Sequence, residues 1–232
     1  MGMTSGWWRS ARSAWAELGW LNGSLYAAGR LLSSIGLELY RYHLVAQPVP
    51  AGPLLPPHRG AQFQVRPIGR GDPAIATMPR PAQVIASRYD QGAVCLGAFD
   101  GARLIGFIWL QLGPYMEDEV HCRFLPGPVH QAGWDFDVYV DERYRVGPAF
   151  ARLWDSANAY LRERGIIWTM SRISTFNMAS VASHRRLRAH FLGSAVFVRG
   201  RSWQLMLATI APFLHLGLGP RRYPEIRLRA PE

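Results

Sequence analysis

Residues 134–161 read "WDFDVYVDERYRVGPAFARLWDSANAYL". Two periods meet here. The β-prone run "WDFDVYV" (134–140) predicts a strand with Asp135 and Asp137 on one face. From Phe150 the apolar residues fall as Phe150, Leu153, Trp154, Ala157 and Leu161, the stripe of an amphipathic helix over 148–164 that Gly165 ends. Pro148 suits its first turn, where a missing N–H costs least. A strand therefore turns into a helix within "DERYRVGP" (141–148), which marks an α/β arrangement.

Working outward, "FQVRPI" (63–68) alternates like a strand, and 80–89 is a short helix. "AVCLGAFDGARLIGFIWLQL" (93–112) is a hairpin turning at Asp100-Gly101. "YMEDEVHCRF" (115–124) is expected to be one strand. It would place Glu117, Glu119, His121 and Arg123 on one face and Met116, Val120, Cys122 and Phe124 on the other, with Asp118 breaking the pattern. Downstream come the strand "GIIWTMSRIS" (165–174), a helix starting near Asn177, and the strands "AVFVR" and "SWQLML" joined at Gly200. The expected fold is a mixed, mostly antiparallel sheet flanked by helices.

Ahead of this lies an arm, 1–46, read as two amphipathic helices. One has Trp7, Trp8, Ala11, Trp15 and Leu18 on a single face, and the other carries the stripe Leu21, Leu25, Ala28, Leu32, Ile35 and Leu39. The first face fits packing on its own domain, packing on a second subunit as a homodimer, or lying in a membrane interface through residues 1–40. The Pro-rich connector "QPVPAGPLLPPHRG" (47–60) marks a boundary, 61–207 form the main domain, and 208–232 show no firm element.

The net charge is +10 on 232 residues, and all 26 basic residues counted with it are arginine. That excess points to an anionic partner. No nucleic-acid recognition motif accompanies it, so nucleic acid is not the expected partner. Cys95 and Cys122 lack metal-type spacing, and no metal site is expected. They read as buried thiols of a reducing compartment. No secretory signal and no apolar run of about 18 residues appear, so the expected location is cytoplasmic, peripheral on the inner face of the membrane if the arm binds there.

The order of elements and two local motifs resemble the GNAT superfamily of acyl-CoA-dependent N-acyltransferases over about residues 61–207. The family's strand-to-helix segment resembles V-x-P-x-Y-R-G-x-G-x-G/A. In "VDERYRVGPAFARL", Val140, Tyr144 and Arg145 match, and Gly147 with Ala149 supply the small pair. Glu142 replaces the usual proline, and the spacing from arginine to glycine is one residue shorter. A later motif resembles N-x-x-A-x-x-x-Y-x-x-x-G-F. In "NMASVASHRRLRA" (177–189), Asn177 matches, Ser180 takes the small-residue position and His184 the tyrosine position, while Arg188 and Ala189 stand where Gly-Phe is usual. Asn177, Ser180 and His184 also share a helix face, a pattern that a solvated helix would give as well.

The resemblance implies an acetyl-CoA or other acyl-CoA co-substrate and a small-molecule or lipid-linked amine acceptor. It implies that Val138, Tyr139 and Val140 offer backbone N–H groups to the acyl carbonyl, and that Arg145, Val146, Gly147, Ala149, Asn177 and Ser180 help hold the cofactor. A helix N-terminus with small residues suits a pyrophosphate. The attacking ammonium must lose a proton, and Glu119 and Asp137 are the general-base candidates. His184 is the candidate donor to the departing thiolate, since a histidine can replace a phenol there. Two other readings stay open: a membrane-surface enzyme taking longer acyl chains from an acyl-carrier protein, and an acyl-CoA-binding module without catalysis.

Overall fold

The structure is a computed structural model that describes residues 23–219 and 221–231. The tryptophan-bearing segment 7–18 lies outside the described residues. The chain forms two compact units that do not follow the contiguous division read from the sequence. Unit 1 takes residues up to Val45, then Glu119–Arg123 and Arg172–Ile226; unit 2 takes Ala46–Asp118, Phe124–Ser171 and Arg227 onward.

In unit 2 the strands β2 (Phe63–Ile68), β3 (Val94–Asp100), β4 (Arg103–Gln111), β7 (Ala132–Val140) and β8 (Trp168–Ser174, to Ser171 in this unit) lie in the order β8-β7-β4-β3-β2. β2, β3, β4 and β7 pair antiparallel, and β7 pairs parallel with β8. The β3–β4 hairpin turns at Asp100-Gly101, where Gly101 has φ 58°. Helix α3 (Ala149–Arg162) packs on β2, β3, β4 and β7 through Leu153, Trp154, Ala157 and Leu161, all fully buried. Helix α2 (Ala82–Asp90) lies on the opposite side, where Arg88 covers the rings of Trp109 and Phe136. Trp134 stacks on Phe124 with centroids 4.5 Å apart, and Phe136 on Tyr115 at 4.2 Å.

In unit 1 the order is β11 (Leu214–Leu218), β10 (Trp203–Ala208), β9 (His190–Arg199), β1 (Glu38–Pro48, to Val45 here) and the end of β8. β10 pairs antiparallel with both β9 and β11. Helix α1, described over 23–33, precedes β1, and α4 (Met178–Arg186) follows β8, burying Val181 against Val45 and Ile173. The fold class is α/β, with a mixed, mostly antiparallel sheet and flanking helices.

Four stretches differ from the sequence reading. The stripe through Leu39 is not one helix. Gly36 adopts φ 75°, Leu37 N–H bonds back to Leu32 O at 3.0 Å, and the chain leaves as β1 through Tyr40, Tyr42 and Val45. Residues 115–124 are not one strand. β5 is only Tyr115–Met116 and β6 is Arg123–Gly127, because Asp118 turns away to pair with Arg88. Glu117 and Glu119 thus fall in different units and share no strand face. The connector 47–60 is strapped to α3: Arg162 Nη1 donates to Pro50 O at 2.7 Å, and the Asp155 carboxylate accepts from the Leu54 and Leu55 N–H groups. Finally, residues 208–232 hold β11 and β12 (Glu225–Arg229), in which Ile226 and Leu228 alternate inward.

Gly106 of β4 sits opposite Val140, and a Cβ there would stand 2.7 Å from Tyr139 O. Backbone cannot yield as a flexible side chain can. Gly106→Ala should therefore destabilise the protein by about 1–3 kcal/mol in urea unfolding. A change within about 0.5 kcal/mol, the range of an ordinary surface substitution, would contradict this packing.

Candidate active site

β7 carries a bulge. Phe107 pairs with Tyr139 and Trp109 with Phe136, so Ile108 alone faces both Asp137 and Val138. Asp137 takes φ 49°, a left-handed conformation that aspartate tolerates better than most residues. Its carboxylate is gripped on both oxygens. Arg80 donates from Nε at 2.8 Å and from Nη2, and Arg88 donates from Nη1. The Arg88 side chain is 6% exposed, lies over the Trp109 and Phe136 rings at 5.3 and 5.2 Å, and also donates to Asp118 from Nε at 2.8 Å. Burial works against its charge, but Asp137 and Asp118 outweigh that and hold its pKa up.

This changes the part assigned to Asp137. A carboxylate shared by two guanidinium groups is poorly placed to accept a substrate proton, and its task here is to hold the bulge. Sequence reasoning did not find Arg80 or Arg88. Asp118, the one residue out of step in the 115–124 pattern, was the signal that something other than strand pairing claimed that side chain.

β7 also has an open edge. Its pairing with β8 covers only Ala132–Trp134, against Trp168–Met170. From Asp135 onward β7 is laddered to β4. Along the other edge the backbone groups that point away from β4 are presented without a β8 ladder, through Val138, Tyr139 and Val140.

The strand then feeds a short turn. Asp141 caps the 3-10 turn Glu142–Tyr144, accepting from Arg143 N–H at 3.1 Å. Tyr144 O–H donates to Asp100 at 2.9 Å, and Arg145 Nε donates to Val140 O at 3.1 Å while its Nη1 pairs with Glu142 at 3.2 Å. Val146 is 97% exposed. A Cβ on Gly147 would meet only Tyr144 O, at 3.8 Å. Pro148 holds the N-cap position without a side-chain cap bond, and Ala149 opens α3 buried. Arg145, Val146, Gly147 and Ala149 are thus brought together at a helix start. Among the described residues its first N–H groups have no side-chain acceptor, and two arginines, Arg143 and Arg145, stand more than half exposed beside it.

The remaining candidates belong to unit 1. Asn177 Oδ1 accepts from Ser180 N–H at 3.0 Å and caps α4. His184, on the same helix, is 7% exposed. The stripe is mixed: Asn177 is exposed and Ser180 half-buried, and only its His184 end is buried. Burial pushes the His184 pKa down to about 4, so the imidazole is neutral at neutral pH. It can donate a hydrogen bond, but it is not an imidazolium that hands over a proton. Glu119 accepts from Tyr42 O–H at 3.0 Å and pairs with Arg172 at 2.6 Å, and its side chain stays half exposed. Both cysteines are buried, and neither is in a disulfide among the described residues. Among the described residues, no helix is long and apolar enough to cross a membrane.

No family model and no curated protein matches this sequence. Solved structures do. A functionally unknown conserved protein from Staphylococcus epidermidis aligns with a TM-score of 0.49 at 11% identity, over 73% of this chain and 64% of its own. A tandem GNAT protein from the clavulanic acid biosynthesis pathway aligns at 0.48 and 12%, over 74% and 57%. A GCN5-related N-acetyltransferase from Sphaerobacter thermophilus aligns at 0.49 and 14%, over 75% and 56%. This chain spans between 56% and 64% of the length of those three.

Replacing Arg88 by Met keeps the apolar stem between Trp109 and Phe136 but strips Asp118 of its guanidinium and Asp137 of one of two. Breaking a buried pair from one side should cost about 3–5 kcal/mol in chemical denaturation. Arg70→Met, which breaks the exposed Arg70–Asp90 pair, should cost under about 1 kcal/mol. Equal effects of the two substitutions would remove the clamp from the account.

Proposed function

We propose that the protein moves an acetyl or other acyl group from acyl-CoA to an amine acceptor by direct attack. One observation carries the reading. A single run of chain, 135–150, supplies an open strand edge, a bulge, an exposed arginine-bearing turn and an uncapped helix N-terminus, in that order.

Each part answers a need of the reaction. The turn and helix start fit an anionic carrier. Gly147 leaves room for close approach, and the first N–H groups of α3 with Arg143 and Arg145 attract phosphate. Arg145 keeps part of its bonding for Val140 O and Glu142, so it orders the turn as well as charging it. When bound, acyl-CoA supplies the activated thioester carbonyl. The open-edge N–H groups of Val138–Val140 are the proposed donors to its oxygen. The amine nitrogen forms the new C–N bond, the C–S pair departs with sulfur, and the ammonium proton passes to a base.

With Asp137 held by two arginines, Glu119 is the proposed base. Asn177 and Ser180 are proposed to shape the cofactor's surroundings from the start of α4. His184 is proposed as a neutral hydrogen-bond donor to the sulfur, and the thiolate then takes its proton from solvent. The acceptor is proposed as a small-molecule or lipid-linked amine. One observation favours a second reading, an acyl-CoA-binding module without catalysis: all three proton-handling candidates are engaged, Asp137 and Glu119 in ion pairs and His184 buried neutral, and only Glu119 keeps its side chain half exposed.

Isothermal titration of acetyl-CoA, then of longer acyl-CoAs, tests the reading. Wild type should bind, and Gly147→Asp should weaken binding about tenfold or more by setting a carboxylate against the pyrophosphate, a difference of about 1.4 kcal/mol. No affinity at millimolar ligand, or equal affinity of the variant, would remove this loop from the site. Binding without acyl transfer to any amine would favour the second reading.

A further inference from the structure

Beneath α3, on the face of the unit 2 sheet opposite α2, polar side chains converge where an apolar core is expected. Gly133 pairs with Thr169 across β7 and β8, and a Cβ on Gly133 would meet Leu161 of α3 at 3.6 Å. Thr169 therefore shares the α3 face. One pleat further along come Asp135 and Ser171, the first positions beyond the last β7–β8 pair. On the far side, Val49 N–H bonds Ile167 O at 2.9 Å, which sets Gln47 of β1 across from Thr169 in an antiparallel neighbour. Above them is Asn158. A helix that joins two parallel strands must run back against them. One turn back from Leu161 on α3 thus matches one pleat forward from Gly133 on β7, and this places Asn158 over Asp135.

All five are nearly sealed from solvent: Gln47, Asp135, Asn158 and Thr169 are 1% exposed and Ser171 is 3%. Six of their buried polar atoms make no hydrogen bond among the described residues. They are Gln47 Oε1, Asp135 Oδ1, both Asn158 amide atoms, Thr169 Oγ1 and Ser171 Oγ. The Thr169 and Ser171 hydroxyls lie close enough to Asp135 to favour its charge, though not in hydrogen-bonding geometry. Burial outweighs them and pushes the carboxyl up to about 7. Orphaned buried polar atoms are costly, and six of them on neighbouring positions of four elements are not a packing accident.

We propose that these five side chains enclose a buried water-binding site at the point where β7 and β8 separate. Six atoms, at about three bonds per buried water, suit one or two molecules. Water satisfies donors and acceptors alike, which this set needs, because it mixes an amide N–H₂ and two hydroxyls with carbonyl and carboxyl oxygens. The bound water links side chains of β7 and β8 at the point where the backbone ladder ends, at Trp134 and Met170. The site stands whether or not the protein transfers acyl groups.

A crystal structure of the full chain at about 1.5 Å or better tests it. One or two water peaks are expected, each within about 3.2 Å of at least three of the six atoms. Direct pairing of the side chains with no peak would overturn the proposal. So would a peak with five or six oxygen ligands at about 2.3–2.6 Å, the signature of a cation. In solution, a slowly exchanging water should give cross-peaks to the amide protons of Asp135, Thr169 or Ser171 in a water-selective NMR experiment. Their absence from assigned spectra would overturn it equally.

Discussion

The unit 2 site depends on one residue held against its preference. Asp137 occupies an extra position in β7 with its backbone in the left-handed region, at a cost of about 1–2 kcal/mol for an ordinary side chain. Charge-assisted bonds from Arg80 and Arg88 offset that cost. Because strand side chains alternate, one added residue changes which face everything beyond it meets. Phe136 and Asp137, neighbours in sequence, both reach the Arg88 side, and Asp135 is left on the α3 side. The bulge therefore sets the direction of the Val138–Val140 edge and the approach of the chain to the turn.

The turn itself is braced from three directions within the same unit. Tyr144 ties it to the β3–β4 hairpin at Asp100, Arg145 ties it to the end of β7, and the connector lies against the helix that follows. Gly60 of that connector, at φ 77°, comes so near Pro148 that a Cβ there would stand 3.1 Å from the ring. The anion site proposed at this helix start gains from being fixed before the ligand arrives, since less ordering remains to be done on binding. The short spacing from Arg145 to Gly147 gives a turn ordered by its own side chains, with only Val146 fully outside.

The sequence made some of this legible. Strand, turn and helix over 134–162 were readable because the period changes from 2 to 3.6 in one place, and the Asn177 cap was readable because asparagine before a helix has a mechanism. The bulge was not legible from the residues themselves, since an added residue leaves no mark in composition. The Arg88 clamp was invisible, because its partners Asp118 and Asp137 lie 30 and 49 residues away. β1 was hidden by an accident of spacing: Leu39 continues the steps of three and four of the preceding helix, although Gly36 had already ended it. β12 was legible and overlooked, for Ile226 and Leu228 alternate with charges in "EIRLR". His184 could be placed on the right helix face but not given its protonation state, which depends on burial by residues far along the chain.

The central claim is that the open β7 edge and the start of α3 receive one acyl-CoA molecule. Hydrogen–deuterium exchange with and without saturating acetyl-CoA measures this directly, amide by amide. The account predicts slowed exchange at both Val138–Val140 and 146–150 when the ligand is present, because the edge of β7 that faces away from β4 has no β8 ladder there and the N-cap of α3 makes no side-chain cap bond. Unchanged exchange at both stretches, with protection appearing elsewhere in the chain or nowhere, would contradict it.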